Sequence, residues 1–231
     1  MTLNLTLATP QYVIQASDRR MTSVPDGRIL NDEANKGLVV KADDGIFAIT
    51  FAGIGLYNGK RMDMWLAEKL LDNGVPELPV HKGVEILTNL ATSWFRTFPK
   101  TVDKRHTFMI AGWEKQGNNS KAVIWRVENC LSREGGALKS AKDTFGIVRF
   151  DIGNSRVNLQ GSGLVNAFSR DDRRRLEAMF RTKFSPIQAR EMLVDIIKRA
   201  SRDPKWSWGI NKNVLTILLT PNGQIEATHY D

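Results

Sequence analysis

Thr2 is the residue with the most direct chemistry open to it. Removal of Met1 would leave Thr2 as the N-terminal residue, with a free α-amine beside its own hydroxyl. A threonine hydroxyl becomes a useful nucleophile when a base takes its proton. An N-terminal amine, with an ordinary pKa of about 7.7–8.0, is poised to do that near neutral pH. Farther along, Gly161-Ser162-Gly163 sets a hydroxyl between two small residues. It reads as a turn into a helix, where backbone N–H groups can hold developing negative charge. Each feature also has a plain structural reading: a strand residue exposed by routine Met removal, and an ordinary turn.

The elements that must position these groups follow from periodicity and turn chemistry. Leu3, Leu5 and Leu7 alternate with polar residues, and Tyr12-Val13-Ile14 forms a second β-rich run after Thr9-Pro10-Gln11. A hairpin ending at Ser17-Asp18-Arg19-Arg20 is predicted. Residues 22–35 are polar, with turn chemistry at Pro25-Asp26-Gly27. The runs 37–41 and 46–51 flank Asp43-Asp44-Gly45, a hairpin signal, and the second run ends at Ala52-Gly53. Met62, Trp65, Leu66 and Leu70 mark one amphipathic helix. Val80, Val84, Leu87, Ala91, Trp94 and Phe98 mark another, so Trp65 and Trp94 read as packing residues.

The middle of the chain returns to strands near Trp113 and over 122–127, around a polar turn at Gln116-Gly117-Asn118-Asn119. Residues 132–142 read as an inserted loop and 145–152 as an added or extended strand. A helix is expected from Leu164, Val165, Ala167 and Phe168 on to Leu176, Met179 and Phe180. The best-capped helix opens at Ser185-Pro186-Ile187-Gln188 and stops near Asp203-Pro204. Strands over 214–219 and 224–228 close the chain around Pro221-Asn222-Gly223.

With 231 residues, 42% of them hydrophobic and no repeat or linker, the chain is expected to be one domain over 1–231, with an insertion at about 130–158. No apolar run approaches the roughly 20 residues that span a bilayer, and no signal-peptide pattern opens the sequence. One cysteine, Cys130, leaves no intrachain disulfide framework and fits a reducing cytoplasm. His81, His106 and His229 are scattered, so neither a metal site nor a cofactor is expected, and all three read as structural or exposed. The net charge of +8 permits an acidic partner. The basic run from Arg170 to Arg175 is interrupted by carboxylates and lacks a nucleic-acid motif, so it reads as a solvated or subunit-contact face.

The segment VIQASDRRMTS resembles the VVLAADRRAT-type run that follows the catalytic N-terminus of proteasome β subunits. It is also similar to their bacterial ring-protease relatives among the N-terminal nucleophile hydrolases. ITFAGIGLYNGKRMDMWLAEKLL and HTFMIAGWEKQGNNSKAVIWRVEN match that family in pattern and place, and the resemblance covers nearly the whole chain apart from 130–158. It implies an α+β fold, a four-layer α-β-β-α sandwich of two antiparallel sheets between helical layers.

The resemblance also implies roles. Thr2 matches the nucleophile and Asp18 the acid that orients a catalytic lysine. Lys36 is the candidate for that lysine, with Lys41 as the alternative. Ser162 matches the serine near the terminal amine, Asp203 and Ser207 the Arg-Asp-x-x-Ser pair with one extra residue between them, and Gly53 the oxyanion position. The implied activity is hydrolysis of peptides or other amides through an acyl-enzyme, in a homo-oligomeric ring or stack, with any ATPase partner left open. Three alternatives remain at this stage: a non-catalytic ring or scaffold subunit, a small-molecule amidohydrolase, and a basic nucleic-acid-binding protein.

Overall fold

A computed structural model describes residues 2–22, 28–117, 119–130, 133–134, 137–138, 141–153, 157–180 and 184–231, with the backbone alone at 116, 133–134, 137–138, 177 and 179–180. The opening hairpin joins β1 (Leu3–Ala8) and β2 (Val13–Asp18), with Leu7 opposite Ile14 and Asn4 opposite Ser17. Thr9 shapes the turn: its hydroxyl donates to the Tyr12 carbonyl and accepts from the Gln11 and Tyr12 N–H groups at 3.1 and 2.9 Å. Every residue of both strands is buried. The Leu/polar alternation in β1 therefore does not mark a wet face. Leu3, Leu5 and Leu7 pack with the helices at the chain's C-terminal end. The polar positions turn the other way, where Gln15 Nε2 donates to the Met109 carbonyl at 2.8 Å.

β3 (Met21–Thr22) pairs with β4 (Ile29–Asn31); the turn expected at Pro25-Asp26-Gly27 lies outside the described residues. β5 (Gly37–Ala42) and β6 (Gly45–Ala52) form the hairpin expected around Asp43-Asp44. The ribbon of β7 (Leu56–Tyr57) and β8 (Lys60–Arg61) leads into α1 (Met62–Asp72), and α2 (Val80–Arg96) follows. Trp65 and Trp94 stack at 4.4 Å between these helices, as packing residues should.

β9 (Thr107–Gln116) and β10 (Asn119–Cys130) pair through the expected hairpin, though position 118 of its turn is outside the description. β11 (Arg133–Glu134) and β12 (Ala137–Leu138) pair within the region read as an inserted loop. β13 (Ala141–Asp151) runs along β10, so the added strand is real.

The next segment departs from expectation. Gly161-Ser162-Gly163 is not a turn but the end of β14 (Asn158–Gly163), with Ser162 opposite Asn4 and Gly163 opposite Leu3. Residues 165–167 make a 3-10 turn, and α3 (Arg170–Phe180) begins later than periodicity suggested. Capping sets that start: Ser169 Oγ accepts from the Asp172 N–H at 3.0 Å, and the Asp172 carboxylate accepts from the Ser169 N–H at 3.0 Å. Met179 and Phe180 have no described side chains. α4 (Pro186–Arg202) has the expected capping box between Ser185 and Gln188. β15 (Val214–Leu219) and β16 (Ile225–Tyr230) close the chain.

The class is α+β, with two five-stranded antiparallel sheets ordered β14-β1-β2-β15-β16 and β13-β10-β9-β6-β5. Three apolar clusters hold them. Ala8, Val13, Ile217 and Leu219 of the first sheet meet Ala48, Met109 and Ile124 of the second. Phe51, Phe108 and Val127 pack with Leu66, Leu87 and Phe95 of α1 and α2. Leu5 and Ile14 pack with Leu176 of α3 and Leu193 and Ile197 of α4. No helix of the described residues is long and apolar enough to cross a membrane.

Candidate active site

The hairpin register carries Asp18, the last residue of β2, back beside the start of β1. There its carboxylate accepts from two backbone donors, the Leu3 N–H at 2.7 Å and the Arg20 N–H at 3.0 Å. Asp18 is fully buried and thereby pins the residue that follows Thr2. Lys36 enters from the loop before β5, and its Nζ lies 3.5 Å from Asp18 Oδ1, with both side chains almost inaccessible. The same ammonium donates to Thr2 Oγ1. Burial pushes the Lys36 pKa down, and the Asp18 charge and hydrogen bond oppose that shift. Lys41, by contrast, is exposed in β5, so of the two lysines Lys36 is the one against Thr2.

Thr2 itself is 3% exposed, and its carbonyl accepts from the Leu164 N–H at 2.8 Å. That contact requires Gly163: a Cβ there would sit 1.9 Å from the Thr2 carbonyl oxygen, and its φ is +81°. Gly163→Ala is therefore expected to displace Thr2 and to lower Tm by about 5–10 °C, a loss of roughly 2–3 kcal/mol. Differential scanning fluorimetry checks this, and an unchanged Tm would show that the strand end yields freely. Ser162, opposite Asn4, is buried, and its Oγ has no partner among the described residues.

Gly53 lines a small pocket together with Thr2, Arg20, Met21, Lys36 and Phe51. Its φ is +124°, and a Cβ would lie 2.4 Å from the Arg105 carbonyl oxygen and 2.7 Å from His106 Nδ1. The next N–H, that of Ile54, donates to His106 Nδ1 at 3.1 Å. His106 is structural and not exposed: it buttresses the loop that faces Thr2. It is 1% exposed, and burial lowers its pKa to about 3.

A histidine whose folded pKa lies below its unfolded value near 6.5 contributes stability that is present above pH 6.5 and lost as pH falls toward 3. The urea midpoint should therefore fall between pH 6.5 and 4, with a slope of up to about 1.4 kcal/mol per pH unit from this residue. His106→Gln should remove that part of the slope. Equal slopes in the two proteins would refute the assignment.

Asp203 and Ser207 are placed differently from what the resemblance implied. Asp203 ends α4, is exposed, and accepts from the Lys205 N–H at 2.9 Å. Among the described residues no hydrogen bond or ion pair joins it to Thr2, Asp18 or Lys36. Ser207 reaches the site through its carbonyl, which accepts from Arg20 Nη1. Arg20 also pairs with Asp32 at 2.6 Å and holds that carboxyl below the usual range. Asn211 and Asn213 donate to the Asp32 carbonyl at 2.7 and 3.2 Å. The loop carrying Lys36 is thus tied to residues 207–213. Sequence reading missed Arg20, Asp32, Asn211 and His106; the signal available for Arg20 was only its place beside Asp18.

Fold and site together define an α+β chain in which Thr2 before β1, Asp18 at the end of β2 and Lys36 before β5 form a buried cluster. No protein-family model matches the chain, and no curated protein matches it in sequence. Its fold is that of Anbu structures. Anbu (ancestral beta-subunit) from Yersinia bercovieri aligns at a TM-score of 0.65 and 10% identity, over 99% of this chain and 88% of that one. Anbu from Hyphomicrobium sp. strain MC1 aligns at 0.64 and 8%, over 98% and 86%, and its Gly-1 mutant at 0.63 and 8%, over 99% and 87%.

These neighbours correct the resemblance to the proteasome β subunit and its bacterial ring-protease relatives. The likeness is to Anbu, a family distinct from the typical β subunit, and at this identity it establishes the fold alone. The physical reason is that the described part of VIQASDRRMTS, residues 13–22, is β2, its exit and the two-residue β3. Such a segment records how a first strand is anchored and not which family carries it.

Proposed function

We propose that this chain is an N-terminal-threonine amide hydrolase on an Anbu-like fold, acting through an acyl-enzyme on Thr2 once Met1 has been removed. The observation that carries the reading is the buried Lys36 ammonium donating to the Thr2 hydroxyl with Asp18 behind it. Burying a lysine costs stability, and a group so placed and so perturbed is a site candidate. In this reading the Thr2 amine takes the hydroxyl proton as Oγ1 bonds to the substrate carbonyl carbon. Lys36 lowers the cost of the developing alkoxide.

The N–H of Gly53 would receive the tetrahedral oxyanion. As the C–N bond breaks, the proton on the amine passes to the leaving nitrogen. Water then attacks the ester, gives a proton to the amine, and the acid departs with Oγ1 reprotonated. Ser162, with its free buried hydroxyl beside the first strand, would partner the liberated amine. The three apolar clusters support the four-layer arrangement of helices outside two facing sheets, folded as one domain. Since a structural neighbour is described as an ancestral beta-subunit, we carry over assembly with copies of this chain into a ring or stack.

Incubation with an epoxyketone or β-lactone, followed by intact and peptide mass spectrometry, tests the reading. A stoichiometric adduct on a chain that begins at Thr2 is the expected result. A chain that begins at Thr2 and refuses the label would sink the hydrolase reading and favour a non-catalytic ring or scaffold subunit.

A further inference from the structure

A cleft of about 690 Å³ lies where β14, the edge of the first sheet, meets β10 of the second and the start of α3. Arg126, Arg170, Arg173 and Arg174 line it, with the amides of Gln160 and Asn166 and an apolar base that includes Leu5 and Phe168. Among the described residues, no carboxylate and no lysine lines it. Two of the guanidinium groups have carboxylates nearby: Arg126 faces Glu128 at 3.0 Å, and Arg174 lies 3.4 Å from the exposed Asp171. Arg170 and Arg173 have no ion pair among the described residues; Arg173 lies over the Phe168 ring at 6.0 Å.

The arginines of this cluster repel one another, with Asp171 and Asp172 in the first turn of α3 offsetting part of that repulsion. Arg170, Arg173 and Arg174 fall at i, i+3 and i+4 of α3, so like charges are neighbours about 5–6 Å apart. They also crowd the first turns of the helix, where the macrodipole is positive and favours anions. An anion in the cleft reverses both costs. Because every lining cation among the described residues is an arginine, the site suits planar, bidentate recognition of oxyanions.

We propose that this cleft binds a compact polyphosphate, of the size of a triphosphate. One carboxylate would satisfy one fork. A triphosphate concentrates several charged oxygens in a unit short enough to engage three closely spaced guanidinium groups at once. This inference stands independently of the hydrolase reading, because it is tested by binding and not by turnover.

Isothermal titration of the full-length protein with inorganic tripolyphosphate is the experiment, with orthophosphate, hexaglutamate and a short single-stranded DNA as comparators. One tripolyphosphate per chain is expected, bound at least tenfold more tightly than orthophosphate. Arg170→Ala/Arg173→Ala should weaken it at least tenfold, and Arg126→Gln should also weaken it. Arg175→Ala, an exposed arginine outside the cleft, should change it less than twofold. Melting curves confirm that each variant folds. Arg170→Lys/Arg173→Lys keeps the charge without the forks and should still bind more weakly than the parent. Binding no tighter than orthophosphate, equal loss in Arg175→Ala, full retention in the double-lysine variant, or tighter binding of hexaglutamate or DNA would each overturn the proposal.

Discussion

Thr2→Ala is expected to abolish labelling by threonine-directed electrophiles and to reduce amide hydrolysis by at least about 10³-fold, since among the described residues of the pocket no other hydroxyl has a terminal amine beside it. Arg20, Met21, Thr22, Lys36, Phe51, Gly53 and Gly55 are the other described residues that line it. Among these only Thr22 offers a hydroxyl, and it has no terminal amine beside it to serve as a base. Thr2→Ser keeps both hydroxyl and amine and should retain a substantial part of the rate. The fold should tolerate Thr2→Ser, and Thr2→Ala with the loss of the bond that the buried Lys36 ammonium donates to Oγ1. The Leu164 N–H bonds to the Thr2 carbonyl and Asp18 bonds to the Leu3 N–H, and neither contact uses the threonine side chain. Rates and Tm are therefore read together, with intact masses to report whether Met1 has left each chain. Labelling of Thr2→Ala at wild-type stoichiometry would place the nucleophile elsewhere and end the proposal.

Lys36→Met should separate chemistry from stability. Losing the ammonium that Thr2 Oγ1 accepts from is expected to slow acylation by about 10²–10³-fold, the usual cost of removing one preorganised charged donor. It should also destabilise the fold by about 3 kcal/mol, because Asp18 would remain buried with its backbone donors but no cation. Adding Asp18→Asn removes the stranded charge and should recover part of that stability while leaving acylation slow.

The pH dependence supplies an independent sign. Lys36 has a folded pKa depressed by burial. The unfolded chain thus binds more protons between that value and about 10.4, and stability from this residue rises with pH across the window. Urea midpoints from pH 8 to 10.5 should rise more steeply in the parent than in Lys36→Met. Acylation of Lys36→Met within threefold of the parent would show that the Lys36–Thr2 contact is only structural.

The local code of this protein is plainly written in its sequence. Thr9, Asp43-Asp44-Gly45 and Ser185-Pro186 act through side-chain and backbone preferences a few residues long, so hairpins and the best-capped helix are legible from the chain alone. So are the helix stripes that carry Trp65 and Trp94, because a 3.6-residue repeat needs no knowledge of the partner surface. Thr2 stands out by its residue type and its place at the start of the chain, whereas the roles of Asp18 and Lys36 beside it were implied only by the resemblance.

The remainder is decided by contacts between distant segments. Whether Lys36 or Lys41 meets Thr2 depends on where the loop at 32–36 is clamped, and that clamp is Arg20 and Asp32 held by residues 207–213. Gly161-Ser162-Gly163 has turn composition, yet its pairing with β1 makes it a strand end and brings Gly163 against Thr2. His106 supports the Gly53 loop from 52 residues away along the chain, and nothing near it in sequence announces that role. Turn and helix propensities are short-range free energies carried by neighbours. Edge pairing, loop clamping and the burial of a lysine against a hydroxyl arise only when the two sheets close, so tertiary structure alone decides them.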